Sequence, residues 1–168
     1  MKLVIANHTY SSWSLRPWLL LKPADIPFEQ ERISFNDPQF KALARRHSPT
    51  GKVPALVDGD LCVLDSLAIA EYVAGKFPGK QLWPADVRAR ARPRSVCAEM
   101  HSGFQNLRSN MTMNITARLP GRGWNLKVQS EINRICEMWG ACRREFGAAG
   151  LKHPLIFLLA PRCCGPDV

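Results

Sequence analysis

The sequence predicts an α/β domain over about residues 1–80, followed by a purely helical region. Strand-like and helix-like segments alternate in the order β, α, β, α, β, β, α within the first domain, and only helical patterns follow it. Asp58-Gly59-Asp60, which lies between two short apolar runs, predicts a β-hairpin. With 168 residues and 46% apolar content, the chain is long and apolar enough to fold as one ordinary domain or two small ones.

The first three elements form a βαβ unit. Leu3–Ala6 is a short apolar run bounded by polar residues, which predicts a buried strand. A helix follows, with Ser12 and Ser14 as candidate caps. Residues 28–35 alternate well enough for a second strand, and Asp37 caps a short helix that ends near residue 45.

The rest of the first domain is a hairpin followed by a helix. Residues 53–57 and 61–64 are the apolar runs on either side of the Asp-Gly turn. Asp65-Ser66 begins a helix whose apolar positions recur at helical spacing until Phe77. Leu82-Trp83-Pro84 is the predicted linker to the next domain.

Residues 86–168 are predicted to form an incomplete all-helical domain. Asp86 caps a helix that runs to about residue 110, and Pro93 inside it predicts a bend or a late start. Leu126–Phe146 is predicted as a second helix with apolar side chains along one side. Two helices make only a thin layer, so this domain is expected to be partial.

Neither a secretory signal nor a membrane span is predicted. The apolar run after Lys2 is shorter than the ~7–15 residues of a signal core, and Leu155–Ala160 is shorter than the ~20 residues of a spanning helix. The six cysteines form no CxxC pair, and no histidine lies at a zinc-like spacing from them. We therefore expect a cytoplasmic protein in a reducing compartment, with no metal and no membrane partner.

The net charge of +9 belongs mainly to the second half of the chain, where residues 81–168 contain 13 Lys and Arg against 6 Asp and Glu. Arg88, Arg90, Arg92 and Arg94 dominate this excess, but side chains two residues apart scatter around a helix. A solvated face is favoured over a nucleic-acid site. The nucleic-acid alternative predicts a strongly salt-dependent affinity for DNA or RNA.

Three short segments carry candidate chemistry. Val53-Pro54 opens a strand after a turn, either as an ordinary trans proline or as a cis proline that presents the Val53 main chain to an extended peptide. Asp65-Ser66 is a capping pair or a site where helix amides receive a carboxylate and Asp65 receives an ammonium. The hydroxyls of Tyr10-Ser11-Ser12-Trp13-Ser14-Leu15-Arg16 either cap a helix or donate to a thiolate, which lowers a thiol pKa from its reference of ~8.5.

The order of these segments resembles that of the glutathione transferase superfamily. The matching strings are Tyr10-Ser11-Ser12-Trp13-Ser14-Leu15-Arg16-Pro17, Ser48-Pro49-Thr50-Gly51-Lys52-Val53-Pro54-Ala55-Leu56, Asp65-Ser66-Leu67-Ala68-Ile69-Ala70-Glu71-Tyr72 and Leu82-Trp83-Pro84. They are most similar to bacterial serine-type members related to the zeta class, which includes maleylacetoacetate isomerase. The resemblance implies a thioredoxin-like first domain with a mixed four-stranded sheet, βαβ then ββα.

The resemblance also implies a glutathione site made from the three segments. The catalytic hydroxyls are those of Ser11 and Ser12, and Ser11 is the expected donor to the thiol. The segments that hold glutathione contribute Trp13, Arg16, Lys52, Val53, a cis Pro54, Asp65 and Ser66. Within this set, Lys52 and Val53 hold the peptide backbone, while Asp65 and Ser66 hold the γ-glutamyl end.

The implied function is that of a homodimeric glutathione transferase. It activates the glutathione thiol for attack on a small hydrophobic electrophile or for a glutathione-dependent isomerisation. An inactive or weakly active, truncated glutathione-binding module is the alternative. Retention on immobilised glutathione without thiol-conjugating activity would favour that alternative.

The resemblance ends near residue 157. Relatives continue beyond this point with the start of a further helix. Some of the codons permitted for the last eight residues encode, in another reading frame, an amino-acid sequence similar to that helix start. We therefore expect a frame change near Leu158. The expected consequence is that apolar side chains at Val128, Ile132 and Trp139 stay exposed, which favours aggregation or dimer-dependent stability.

Overall fold

The computed structural model describes residues 1–146 and divides into two compact units. The first unit is Met1–Trp83, and the second begins at Pro84. The divergent tail expected from about residue 158, with its proposed frame change, lies outside the described residues.

The first unit is a four-stranded sheet with helices. Its elements are β1 (Lys2–Ile5), α1 (Ser12–Leu21), β2 (Glu29–Arg32), α2 (Phe40–Arg45), β3 (Ala55–Asp58), β4 (Leu61–Leu64) and α3 (Ser66–Lys76), followed by a 3-10 turn at Pro78–Lys80. The strand order is β2-β1-β3-β4, with β2 parallel to β1 and both remaining pairings antiparallel. This arrangement confirms the predicted mixed sheet of a thioredoxin-like domain, βαβ then ββα.

The position of each strand in the sheet explains its composition. β1 is central, and the run Leu3–Ala6 is buried, as a strand covered on both faces requires. β2 lies at the edge and is composed of Glu29-Gln30-Glu31-Arg32, mostly exposed. The second predicted strand is therefore shorter than residues 28–35, because only these four residues pair with β1.

One row of paired residues crosses three strands of the sheet. Val4 of β1 pairs with Ala55 of β3, and Ala55 pairs with Leu64 of β4. Because β3 is antiparallel to both neighbours, the end of β1, the start of β3 and the end of β4 lie together at one end of the sheet. All three predicted site segments join the sheet at that end.

Helix α3 is tied to the β3–β4 hairpin by a carboxylate. The Tyr72 hydroxyl donates to Asp58 Oδ2 at 2.6 Å, and the Lys76 ammonium pairs with the same oxygen. Hydrogen bonds from Lys76 and Tyr72 hold the pKa of the Asp58 carboxyl below its ordinary value. These contacts fix α3 against the end of β3, in the hairpin that leads into the helix.

The second unit contains α4 (Val87–Ser102), α5 (Gln105–Asn110) and α6 (Leu126–Phe146) among the residues described. The single helix expected to reach residue 110 is wrong, because the chain turns at Gly103 and Phe104. A Cβ on Gly103 would lie 2.8 Å from the Glu99 carbonyl oxygen, and Phe104 has a φ of 65°. Pro93 lies inside α4, which begins directly after its cap Asp86.

Helix α6 has the predicted bounds, and its apolar side packs inward. Val128 and Ile135 are buried, so the expected exposure of Val128 is wrong, while Ile132 and Trp139 are half-buried. No helix within residues 1–146 has the length and apolar character needed to span a bilayer.

Candidate functional site

The first segment of the candidate site is the start of α1. Ser11 is the N-cap of this helix, and its Oγ accepts from the Ser14 amide at 3.3 Å. The Ser11 hydroxyl donates to Ser14 Oγ at 2.8 Å, and the Ala6 amide donates to the same Ser14 oxygen at 3.0 Å. Ser11, the expected thiol donor, is therefore a nearly buried cap whose hydrogen is held by Ser14.

The neighbours of Ser11 differ in their availability to a ligand. Ser12 is half-buried, and its hydroxyl has no hydrogen-bond partner in the described part of the chain. The Arg16 guanidinium is buried and lies 4.3 Å from the centre of the Trp13 ring, in cation–π geometry. The first turn of α1 thus combines two hydroxyls, helix amides and a nearby cation, a setting that stabilises an anion.

The second segment is the chain that leads into β3. Gly51 adopts a φ of +64° in a turn closed by its amide on the Ser48 carbonyl. Lys52 is exposed, and the Val53–Pro54 peptide bond is cis, as expected. Within residues 1–146, the Val53 amide and carbonyl have no backbone hydrogen-bond partner. An extended peptide can therefore pair with the Val53 main chain.

The third segment is the start of α3. Asp65 caps the helix, with its Oδ1 accepting from the amides of Leu67 at 2.8 Å and Ala68 at 3.4 Å. Its φ of 75° is uncommon for a residue with a side chain, and such conformations concentrate at functional sites. Ser66 is 2% exposed, and its Oγ has no partner among the described residues. A buried hydroxyl at a helix N-terminus is a donor prepared for an anion.

The paired row of Val4, Ala55 and Leu64 brings the three segments together. The α1 hydroxyls follow β1, Val53-Pro54 directly precedes Ala55, and Asp65-Ser66 directly follows Leu64. Helix α1 also packs against α3. All nine predicted site residues therefore lie on segments at one end of the sheet, where two helix N-termini accompany the Val53 main chain that precedes β3.

Two residues in this region have contacts that were not predicted from the sequence. Ser14 was only a candidate cap, but its hydroxyl joins the Ala6 amide to the Ser11 hydroxyl. His8, in the loop before α1, has its ring 5.2 Å from that of Trp18 and a buried Nε2 with no partner among the described residues. No signal in the sequence indicates this placement of His8.

Among the clustered arginines, Arg90 and Arg92 have contacts within the second unit. Arg90 donates to the Pro84 carbonyl at 3.2 Å, and the Arg92 guanidinium lies 3.4 Å from the Glu145 carboxylate. Residues 1–146 contain no group of three or more His, Cys, Asp or Glu side chains that could hold a metal ion.

Comparison with known proteins gives a consistent result. Residues 10–76 match the family described as glutathione S-transferase, N-terminal domain. Glutathione S-transferase 1 of Dianthus caryophyllus is 32% identical over 68% of this chain and 51% of that protein. A "probable maleylacetoacetate isomerase" of Caenorhabditis elegans is 32% identical over 57% of this chain and 44% of its own length.

A solved structure is similar in fold as well as sequence. It is a Burkholderia glutathione transferase homologue with bound glutathione, 26% identical, with a TM-score of 0.52 over 64% of this chain and 56% of that one. The chain spans about half the length of these relatives. The matched family region contains each of the three segments.

Proposed function

Because the N-terminal unit of this chain belongs to the glutathione transferase superfamily, we propose that it binds glutathione across the three segments and activates its thiol. The observation that carries this proposal is the buried Ser66 hydroxyl without a partner in the described residues. It lies at the same end of the sheet as the unpaired Val53 main chain and the Ser11 cap.

The γ-glutamyl and cysteinyl parts of glutathione each have matching groups in the site. The Ser66 hydroxyl and the first amides of α3 receive the γ-glutamyl carboxylate, and Asp65 receives the adjacent ammonium. The Val53 amide and carbonyl pair with the central cysteinyl unit, next to the exposed Lys52. This alignment directs the sulfur toward the start of α1.

The start of α1 supplies the activation. Ser11, with Ser12 beside it, donates to the sulfur, and the helix amides and the Arg16 cation favour the thiolate over the thiol. The thiolate then forms a thioether with a small hydrophobic electrophile, either by displacing a leaving group, which departs as an anion, or by adding to an activated double bond, whose carbanion takes up a proton. In an isomerisation it adds to the double bond and is eliminated again after rotation about the resulting single bond, which regenerates glutathione. Similarity to zeta-like relatives such as the nematode isomerase supports including the second reaction. A reducing cytoplasm, where glutathione is kept as the thiol, is the matching compartment.

The first experiment is a titration of the whole chain with reduced glutathione, followed by thermal unfolding. Ligand at 100 times its dissociation constant adds about 2.7 kcal/mol to the free energy of unfolding, so the melting temperature should rise. Ser66→Ala removes a hydrogen bond to a charged group and should weaken binding roughly tenfold or more.

Ser95→Ala is the matched control for that titration. It removes a helix hydroxyl that donates to the Ala91 carbonyl in the second unit, so glutathione affinity should be unchanged. If the parent chain shows no thermal shift, it does not bind glutathione. Equal affinities of Ser66→Ala and Ser95→Ala would remove Ser66 from the site.

The second experiment distinguishes catalysis from binding alone. Ser11→Ala should lower the rate of glutathione conjugation far more than it weakens glutathione binding, because thiolate stabilisation acts along the reaction path. An unchanged rate in Ser11→Ala and a large loss in Ser12→Ala would transfer the role to Ser12. Glutathione binding with no turnover of any electrophile would favour the binding-module alternative.

A further inference from the structure

Ser14 is a fully buried hydroxyl that joins the end of β1 to the start of α1. It is 0% exposed, and its Oγ accepts from the Ala6 amide at 3.0 Å and from the Ser11 hydroxyl at 2.8 Å. The Ser14 amide in turn donates to Ser11 Oγ. The two serines therefore hold each other through both side chains and one amide.

The number of hydrogens in this pair limits what Ser11 can do. A serine hydroxyl has one hydrogen to donate and two lone pairs to accept with. In the structure the Ser11 hydrogen points to Ser14, so the same hydrogen is unavailable to a sulfur atom. In the structure only Ser11 has donor geometry in this pair, so the reverse bond requires the Ser14 hydroxyl to reorient while it still accepts from the Ala6 amide.

We propose that Ser14 is a positioning residue of the thiol site. When the sulfur of glutathione lies at the start of α1, the hydrogen bond between the two serines reverses. Hydrogen bonds then run from the Ala6 amide to Ser14, from Ser14 to Ser11, and from Ser11 to the thiolate. This inference rests on the proposed function, and it assigns to Ser14 an effect that is transmitted through Ser11.

The chain of hydrogen bonds has a direct chemical consequence. Hydrogen bonds in series polarise one another, so Ser14 makes Ser11 a stronger donor to the sulfur. A stronger donor stabilises the thiolate relative to the thiol and lowers the thiol pKa. Loss of Ser14 should therefore change the ionisation of bound glutathione while leaving the contacts to its γ-glutamyl end intact.

Charged and titratable groups on the surrounding segments are retained in every variant below. They include Arg16 on α1, His8 in the loop before it, Lys52 ahead of β3 and Asp65 at the start of α3. A difference in thiol pKa between the variants and the parent chain is therefore due to the serine that is changed.

The test consists of two measurements. The pKa of the bound thiol is measured from the ultraviolet absorbance of the thiolate as a function of pH. The affinity for glutathione is measured by calorimetry at a pH below that pKa. Ser14→Ala should raise the thiol pKa by about half a unit to one unit, with affinity for the protonated tripeptide within about twofold. In a Ser11→Ala background the same change should have no further effect on the pKa, because the connection is already broken.

Ser95→Ala is the control, since it removes a serine hydroxyl that donates to the Ala91 carbonyl in the second unit and has no contact with Ser11. It should leave the thiol pKa unchanged. Ser14→Cys, close to serine in volume but a weaker donor, serves if the alanine variant fails to fold. A crystal structure of the parent chain with glutathione tests the geometry without any substitution, and Ser11 Oγ within hydrogen-bond distance of the sulfur is the expected result.

Three results would overturn the role of Ser14 while leaving glutathione binding intact. They are an unchanged thiol pKa in a folded Ser14 variant, an equal shift in the Ser11→Ala background, and a sulfur bonded to Ser12 with Ser11 still donating to Ser14. Failure of the parent chain to bind glutathione is a different result, which refutes the proposed function itself.

Discussion

Asp65 has both a structural and a proposed ligand-binding role at the start of α3. Its carboxylate accepts from two helix amides while the residue holds a φ of 75°, and the side chain is exposed to an incoming ligand. Asparagine retains the capping oxygen and tolerates positive φ, whereas alanine does neither. The two substitutions therefore separate the cap from the charge.

We expect Asp65→Asn to change the free energy of unfolding by only a few tenths of a kcal/mol and Asp65→Ala to lower it by about 1 kcal/mol or more. Both should weaken glutathione binding, since both remove the charge proposed to receive the ammonium. Chemical denaturation and calorimetry measure the two effects. Parent-like affinity in Asp65→Asn would show that the charge does not contact the ligand.

Sequence patterns located these side chains but not their partners. Ser11 and Ser66 were identified through the order of the three segments and the family resemblance, because a hydroxyl at a helix start is by itself more often a cap. Whether each hydroxyl forms a hydrogen bond depends on residues that are distant in sequence and that the fold places beside it. Ser14 bonds an amide of Ala6, eight positions earlier, while Ser66 finds no acceptor or donor in the described residues. Local patterns do not contain that information.

Helix α5 shows how one helix can cap another. It has no side-chain cap at Phe104, and the Glu131 carboxylate on α6 takes that place. Its oxygens accept from the Leu107 amide at 2.7 Å and from the Asn106 amide at 3.2 Å. Burial alone raises the pKa of the Glu131 carboxyl, but these hydrogen bonds hold it below its ordinary value.

Glu131→Ala should therefore lower the free energy of unfolding by about 1 kcal/mol, and Glu131→Gln, which keeps one acceptor, by less. Because the folded-state pKa is depressed, the contribution is complete above the ordinary glutamate pKa of about 4.3. It is lost as pH falls through the lower, folded-state pKa. Urea denaturation at neutral pH and at pH below that range measures both effects. A difference between parent and Glu131→Ala that persists in acid would contradict this account.

Helices and strands were predicted correctly where a short local motif has only one common structure. Asp58-Gly59 marked the β3–β4 hairpin because few other turns suit that pair. The break between α4 and α5 was missed because a glycine inside a helical pattern is ambiguous on its own. Only the closeness of Gly103 to the Glu99 carbonyl, together with positive φ at Phe104, determines the turn.

Apolar side chains on the second unit support the proposal of a homodimer. Ile115, Leu119, Trp124 and Leu126 are each more than half exposed, which is unusual for large apolar side chains so close in sequence. We expect the chain to associate with itself in a concentration-dependent manner, measured by sedimentation equilibrium. Leu126→Lys should weaken the association roughly tenfold or more.

Val87→Lys is the control for this experiment, because Val87 is 68% exposed but lies at the start of α4, away from that stretch of sequence. It should leave the association unchanged. A single monomeric species of the parent chain at all concentrations would refute the homodimer proposal.

The sequence predicted the molecule better in its first half than in its second. The order of strands and helices in Met1–Trp83 determined the sheet, because βαβ and ββα units have few ways to pair. The helices of the second unit have no comparable pairing rule. Burial of Val128 therefore had to be learned from the structure.

The paired row of Val4, Ala55 and Leu64 limits how the chain can change. Pro54 is bonded directly to Ala55, and Asp65 directly to Leu64, so neither ligand segment has a spacer between itself and the sheet. An insertion of one residue at either junction would rotate the ligand groups to the opposite face. We therefore expect the proposed glutathione site to tolerate length variation in the connection from β2 to Gly51, but not at these two junctions.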